Sequence, residues 1–381
     1  MSKLSIIVPG FNIEYYLDRC LESIRIQTLK DIEIICIDDG STDKTLDIFN
    51  KYKLLDSRFI VIHKENGGLG AARNLGLIHA SGEYIGFVDG DDFIHQEMFE
   101  KLVNKAEKTQ ADIVIGGVHF LYKNFRTRRL FQRLTDYRIL EREGFFTAND
   151  HPGILQNNVA WNRIYKRSLI IDNDLKFPEN RIYEDVLFSF KSSLIAKRIS
   201  VVPEIMYFYR QDREGSILSN KNFNYKYAED FLKNFDELKN FMIKEGFYEN
   251  EFKEIFLEFQ LYNLLTQLYN LRKYKDFVCF CEAFNKLLDA DDYDEIKKLK
   301  MCDGLLSNYQ KKIKVKSIYK NIKYKKYIIA YFKIRLRTLI NYENGELRIR
   351  IIHSNKFLKF RLPWTAIQES MYENHYDKNS Y

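Results

Sequence analysis

The chain has 381 residues, 45% of them hydrophobic and 15% aromatic, enough to bury a sizeable core and to exclude wholesale disorder. Its five cysteines are scattered, which excludes a disulfide framework, and Cys279 and Cys281 have neither zinc spacing nor a partner pair, so a reducing cytoplasm fits. The net charge of +7 is uneven: residues 311–361 hold 16 Lys and Arg against Glu343 and Glu346, a surplus of 14, so the remainder carries about −7.

Along the first 116 residues strand-like and helix-like runs alternate. The strand runs are Leu4–Pro9, Ile32–Asp38, Phe59–His63, Tyr84–Val88 and Asp112–Gly116. The amphipathic runs between them are Tyr15–Gln27, Asp43–Tyr52, Leu69–Ala80 and Gln96–Thr109. Such alternation predicts βαβ units and a mostly parallel sheet flanked by helices. Lys3 runs straight into Leu4–Val8, so no signal peptide is expected. Residues 117–216 are less regular, with a basic aromatic stretch from Phe120 to Arg138. Residues 223–290 show long helical periodicity, which predicts a helical extension over 217–310. No window offers about 18 uncharged apolar residues, so no spanning helix is expected. Residues 311–381 form a basic segment in which 327–340 puts most of its apolar residues on one helical face and Lys333 and Arg337 on the other, with Arg335 interrupting the apolar face. That composition either seeks an anionic surface, such as the inner face of the cell membrane or nucleic acid, or forms a solvated helical cap packed on the body. No recognisable nucleic-acid module accompanies it.

Polar loops fall after four successive strands, where open α/β sheets bind their ligands. They are Pro9–Asn12, Asp38–Ser41, Asn66–Gly68 and Asp89–Asp92. Each has a plainer reading beside the functional one. Asp38–Asp43 (DDGSTD) is either a turn with a helix cap or a place where Asp39 accepts a nucleobase N–H. Gly67, Gly68 and Gly70 open a helix whose N-terminus favours anions, and Arg73 either reaches a nucleotide or solvates a helix face. Asp89, Asp91 and Asp92 end a buried strand, where carboxylates are costly unless something positive meets them. They either cap the next helix or hold Mg²⁺ or Mn²⁺ carrying phosphates, with Gly90 letting the backbone approach a ligand. Glu184 and Asp185 either compensate a helix dipole or supply a general base.

Together these segments carry a resemblance. SIIVPGFNIE, DDGSTD, ENGGLGAARN, GEYIGFVDGDD, AWNRIYKRSLI and RIYEDVLFSF stand in the order and spacing of family 2 glycosyltransferases with the GT-A fold, over about residues 1–216. The resemblance implies an inverting transfer of one sugar from a nucleotide-diphospho-sugar, a UDP-sugar being the expected donor, to a glycan or lipid-linked acceptor in surface polysaccharide assembly. It implies that Pro9, Asn12, Glu14 and Asp39 form the nucleotide pocket, with Gly68, Arg73 and Gly90 beside them. Asp89 and Asp91 match the DxD that binds ribose and the metal, Mn²⁺ or Mg²⁺. Asp185 matches the base, with Glu184 beside it. Phe11 replaces the family's usual Tyr, and Tyr209 to Ser216 loosely match a loop over the diphosphate. The Gln-x-x-Arg-Trp signature of processive synthases is absent, which favours addition of a single sugar. The alternatives from other classes are a non-catalytic nucleotide-sugar-binding scaffold subunit and a nucleotidyltransferase, whose glycine-rich basic loop after the first strand is missing.

Overall fold

A computed structural model describes residues 2–121, 128–129, 144–211, 225–271, 274–288, 291–292, 340–343, 346–350 and 357–361. They fall into two compact units, one within Met1–Tyr262 and one made of residues from Asn263 onward.

The first unit opens with the expected alternation. Strands β1 (Leu4–Gly10), β2 (Ile32–Asp38), β3 (Phe59–His63) and β4 (Tyr84–Phe87) are separated by helices α1 (Glu14–Arg25), α2 (Thr45–Leu55) and α3 (Gly68–His79). The four strands pair in parallel in the order β3-β2-β1-β4. Every residue of β1 is buried, as a strand covered on both faces requires, and its sequence is accordingly apolar throughout except for Ser5, whose hydroxyl donates to Glu33. The helices show one buried stripe each; in α1 it is Leu17, Cys20, Leu21 and Ile24, at helical spacing.

Beyond β4 the sheet becomes mixed. A two-residue strand β5 (Phe93–Ile94) and helix α4 (Met98–Thr109) follow. Then come β6 (Ile113–Leu121), β7 (Arg128–Arg129), a 3-10 turn at Pro152–Gln156, β8 (Arg163–Lys166), α5 (Arg167–Asp172), α6 (Glu184–Ile195) and β9 (Ile199–Arg210). Strand β8 lies antiparallel between β4 and β6, β6 runs parallel to β9, and β5 pairs antiparallel with β9. The expected strand at Asp112–Gly116 thus reaches Leu121, with register shifts at Gly116 and Gly117. A cluster of rings fixes α6 to this sheet. Phe177 stacks on Phe188 with centroids 4.0 Å apart, and Phe87 meets both edge-on at 5.2 and 5.9 Å. Helices α7 (Tyr225–Lys244) and α8 (Asn250–Asn270) follow, as the periodicity predicts.

In the second unit, helix α9 (Tyr274–Leu287) buries Phe277, Phe280, Cys281 and Phe284 along one face. A separate antiparallel sheet joins β10 (Ile340–Glu343), β11 (Glu346–Arg350) and β12 (Phe357–Arg361). The sequence reading had no strands here. Its helix over 327–340 falls on residues outside those described, apart from Ile340, which opens β10. The missed signal is the period-two alternation in ELRIR, apolar against basic. Among the described residues no helix is long and apolar enough to cross a membrane.

Candidate functional site

The carboxyl ends of β1, β2, β3 and β4 lie side by side, so the four polar loops meet along one edge of the sheet. The first two are zipped together. Asn12, at φ 52°, accepts at Oδ1 from the Thr42 N–H at 2.9 Å, and Glu14 Oε2 accepts from the Lys44 N–H at 2.9 Å. In return Asp43 Oδ2 accepts from the Glu14 N–H at 3.0 Å and Thr45 Oγ1 from the Ile13 N–H at 2.9 Å.

Asp39 is almost fully buried and its carboxylate is engaged by the protein. Lys64 Nζ donates to Oδ1 at 2.7 Å, the Gly67 N–H to Oδ1 at 2.9 Å and the Gly68 N–H to Oδ2 at 2.8 Å. The anion at the start of α3 is therefore the chain's own Asp39, which satisfies two orphan N–H groups there. Gly68 is required by its φ of +84°. Gly90 serves packing rather than ligand approach: a Cβ there would come within 2.4 Å of Ile13 Cδ1 and 3.0 Å of the Pro9 carbonyl. Pro9 itself is buried inside β1. The exposed groups at this edge include Asn12, Thr42, Asn66 and Phe11, the last 47% accessible.

The acidic loop Asp89–Asp92 is built by β5. Pairing Ile94 with Tyr207 draws the end of β9 over the loop. Tyr207 OH donates to Asp92 Oδ2 at 2.9 Å and accepts from the Asp89 N–H at 3.1 Å. The Arg210 N–H donates to Asp92 Oδ1 at 2.8 Å, and Arg210 Nε to the Asp91 carbonyl at 2.8 Å. Burial, then the charges of Asp91 and Asp89, push the Asp92 carboxyl well above its ordinary range. Trp161 stacks on Tyr207 and Tyr209 at 4.3 and 4.9 Å and backs the assembly. Asp92 is thus a structural acid, while Asp89 and Asp91 keep partial exposure.

Arg73 is the residue whose place the sequence left most open. It neither solvates the helix face nor lies at the surface: its side chain is 1% exposed. Its Nη2 donates to Asp89 Oδ1 at 2.6 Å and its Nη1 to Glu184 Oε1 at 2.7 Å, and its guanidinium sits 5.3 Å from the Phe177 ring. One buried cation therefore ties the acidic loop after β4 to the first turn of α6. Burial draws the guanidinium pKa down, but the charges of Asp89, Glu184 and Asp185 more than reverse that, so Arg73 stays charged. Burial raises Glu184 against the pull of Arg73.

Asp185, next on α6, keeps some contact with solvent. Burial first, then the charge of Glu184, push its carboxyl up to about 7, with Arg73 opposing and Asp89 adding. The carboxyl is thereby poised near neutrality. Tyr183, just before α6, has left-handed backbone (φ 62°, ψ 34°), uncommon for a bulky residue and frequent at functional sites.

Among the described residues no group of three or more His, Cys, Asp or Glu is placed to hold a metal. The donor set of Asp89 and Asp91 nevertheless fits Mg²⁺ or Mn²⁺, which typically take one or two carboxylates from the protein and the rest from water and substrate phosphates. The sequence missed Tyr207, whose ring and hydroxyl hold the loop. Its trace was the Tyr207-Phe208-Tyr209-Arg210 alternation late in β9. The loop expected at Tyr209–Ser216 is described only as far as Gln211.

The model of Glycosyl transferase family 2 matches residues 5–174. The uncharacterized glycosyltransferase EpsJ of Bacillus subtilis is 38% identical over 213 residues, which cover 55% of this chain and 61% of EpsJ. The chain thus spans about three fifths of that relative, and the putative glycosyltransferase EpsH of the same organism is covered to 60%. The cholesterol galactosyltransferase of Borreliella burgdorferi is 32% identical over 310 residues, covering 78% of this chain and 84% of that one. Among solved structures, Staphylococcus aureus TarS 1–349 in complex with UDP-GlcNAc superposes with a TM-score of 0.64 at 22% identity, over 93% of this chain and 99% of that one. That likeness is one of fold. On the sequence matches, together with the order of the polar loops along one GT-A sheet edge, the chain belongs to glycosyl transferase family 2.

Proposed function

We propose that this protein transfers one sugar from a nucleotide-diphospho-sugar, a UDP-sugar being the expected donor, to a hydroxyl of a glycan or lipid-linked acceptor in surface polysaccharide assembly, with inversion at the sugar carbon. The observation that carries the reading is the Asp89–Arg73–Glu184 bridge, which holds donor-type acids and a near-neutral carboxyl at one sheet edge. TarS, whose fold this chain shares, binds UDP-GlcNAc, which supports the choice of donor class.

In this reading Phe11 and Asn12 line the nucleotide end, and Asp39 braces the loops around it. Asp91 and Asp89 would hold a divalent cation, which when bound neutralises charge on the departing diphosphate. Arg210, fixed on the Asp91 carbonyl and 5.0 Å from the Tyr16 ring, adds positive charge beside that group. Asp185 takes the proton of the acceptor hydroxyl as its oxygen bonds to the sugar carbon and the bond from that carbon to the diphosphate breaks. Glu184, committed to Arg73, orients and charges the surroundings rather than accepting that proton.

The direct test incubates the protein with Mn²⁺ and a panel of UDP-glucose, UDP-galactose and UDP-GlcNAc and measures released UDP. Slow, metal-dependent release from one of them is expected. Tight binding of a donor with no release, even with candidate acceptors present, would instead assign the chain as a scaffold subunit. Asp91→Ala is expected to weaken donor binding in Mn²⁺ by at least tenfold, on the scale of losing one hydrogen-bonded charge, about 1.5–3 kcal/mol. Titration calorimetry with and without EDTA reads the effect; equal affinity in all four conditions removes Asp91 from the metal site.

A further inference from the structure

The turn that aims Asp185 is not held by its own helix. Residues Arg181, Ile182 and Tyr183 lead into α6, and Tyr183 has the left-handed backbone described above, without being one of the usual capping residues. The turn is instead gripped from α7. Asp230 Oδ2 accepts from the Ile182 N–H at 3.2 Å. Asn234 Nδ2 donates to the carbonyls of Ile182 and Tyr183 at 3.1 and 3.2 Å. Arg181 Nη1 donates to Glu237 Oε2 at 2.9 Å and to Asn234 Oδ1 at 3.4 Å, and Glu237 Oε1 also receives Lys191 Nζ of α6 at 3.0 Å.

Residues 230, 234 and 237 are spaced to share one helical face, and the first two are at least nine-tenths buried. Buried polar side chains on a helix face persist only where they find partners. Here the hydrogen-bond partners lie on the two residues before Glu184, on Arg181 or on α6 itself, while Asp230 also pairs with Lys233 of its own helix at 3.8 Å. Helix α7 also lies beyond residue 174, where the family match ends.

We propose that Asn234, assisted by Asp230 and Glu237, is a positioning residue that holds the strained Arg181–Tyr183 turn and thereby sets the aim of Asp185 at the acceptor hydroxyl. The proposal rests on the reading of Asp185 as the base. A role confined to docking α7 onto the body would lower stability without separating turnover from donor binding.

The experiment uses the full chain and the UDP-sugar that releases UDP fastest in the panel. Asn234→Leu keeps the side-chain size and removes all three of its hydrogen bonds. The expected result is kcat lowered about ten- to a hundredfold, the cost of a misplacement near 1 Å, while the Kd for UDP with Mn²⁺ stays within about twofold. Adding Asn234→Leu to Asp185→Asn is expected to cost nothing further, since both act on one group. Wild-type kcat, a parallel loss of UDP affinity, or the same fractional loss in the Asp185→Asn background would each overturn the proposal. If Asn234→Leu does not fold, Glu237→Gln, on a partly exposed side chain, is held to the same criteria. Failure of the base assignment shows separately, as normal turnover by Asp185→Asn alone.

Discussion

Asp185→Asn is expected to lower kcat by about 10² to 10⁴, the usual worth of a positioned general base. The loss should come without a matching change in UDP affinity, because in the proposed reaction Asp185 acts on the acceptor hydroxyl. The pH dependence gives an independent check. A carboxyl pushed up to about 7 is protonated, and idle as a base, at lower pH. In the wild-type protein kcat/KM should therefore climb about tenfold per pH unit below 7 and level off above it, and the residual activity of Asp185→Asn should lack that limb. Stability runs the other way. A carboxyl whose folded pKa is raised from 3.8 to about 7 contributes fully below 3.8, and the contribution is lost as pH rises through 7. Asp185→Asn should accordingly melt higher than wild type at pH 8 and at the same temperature near pH 4. Near-normal turnover, or an unchanged acid limb, sinks the assignment.

Arg73→Met is expected to destabilise the fold by about 3–5 kcal/mol, the cost of removing one partner from a buried ion pair. The substitution leaves Asp89 and Glu184 facing each other with no cation between them, although the aliphatic part of the side chain still packs near Phe177. Because burial and the charge of Asp89 are then opposed only by the backbone hydrogen bond at the helix start, the Glu184 carboxyl should rise further. The folded variant would hold a proton that the unfolded chain has released, so the deficit grows with pH. Urea unfolding at pH 5 and pH 8 measures this: the midpoint should fall at both, and fall further at pH 8, with the slope unchanged. A midpoint within experimental error of wild type at pH 8 would mean that the bridge does not hold the two edges together. Arg73→Lys should recover part of the loss only, since a single ammonium lacks the fork that reaches two carboxylates at once.

The parallel half of the sheet was legible because its evidence is local. Each strand is a short apolar run, each helix has one apolar stripe, and each ligand-type loop sits between them, so β1 to β4 and α1 to α4 fall within a few residues of their expected bounds. The mixed half was not legible. Placing β8 between β4 and β6, and β5 against β9, depends on pairings between distant residues that no local period announces. The site divided the same way. Asp89, Asp91 and Asp185 could be picked out by residue type and motif. The burial of Arg73, the engagement of Asp39 with its own helix start and the hold of Tyr207 on Asp92 could not, since each depends on a neighbour the sequence does not bring near. The alternation in β11 is a local signal, but it spans only five residues and directly follows a longer stretch of helical period.

The two edges of the site are closed by chain segments of very different length. Asn12 meets Thr42 across 30 positions and Asp39 meets Gly67 across 28. Arg73 meets Glu184 across 111, Tyr207 meets Asp92 across 115, and the Arg210 N–H meets the same acid across 118. Closing a longer loop adds little to the equilibrium cost but delays the contact in time. During synthesis the contacts among the first three loops have all their parts once Gly68 has emerged, whereas those of the acidic loop must wait for α6 and β9. Until then the Arg73 guanidinium lacks Glu184, and Asp92 lacks Tyr207 and Arg210. The order of these contacts along the chain thus makes the acidic loop the last part of the site to be completed.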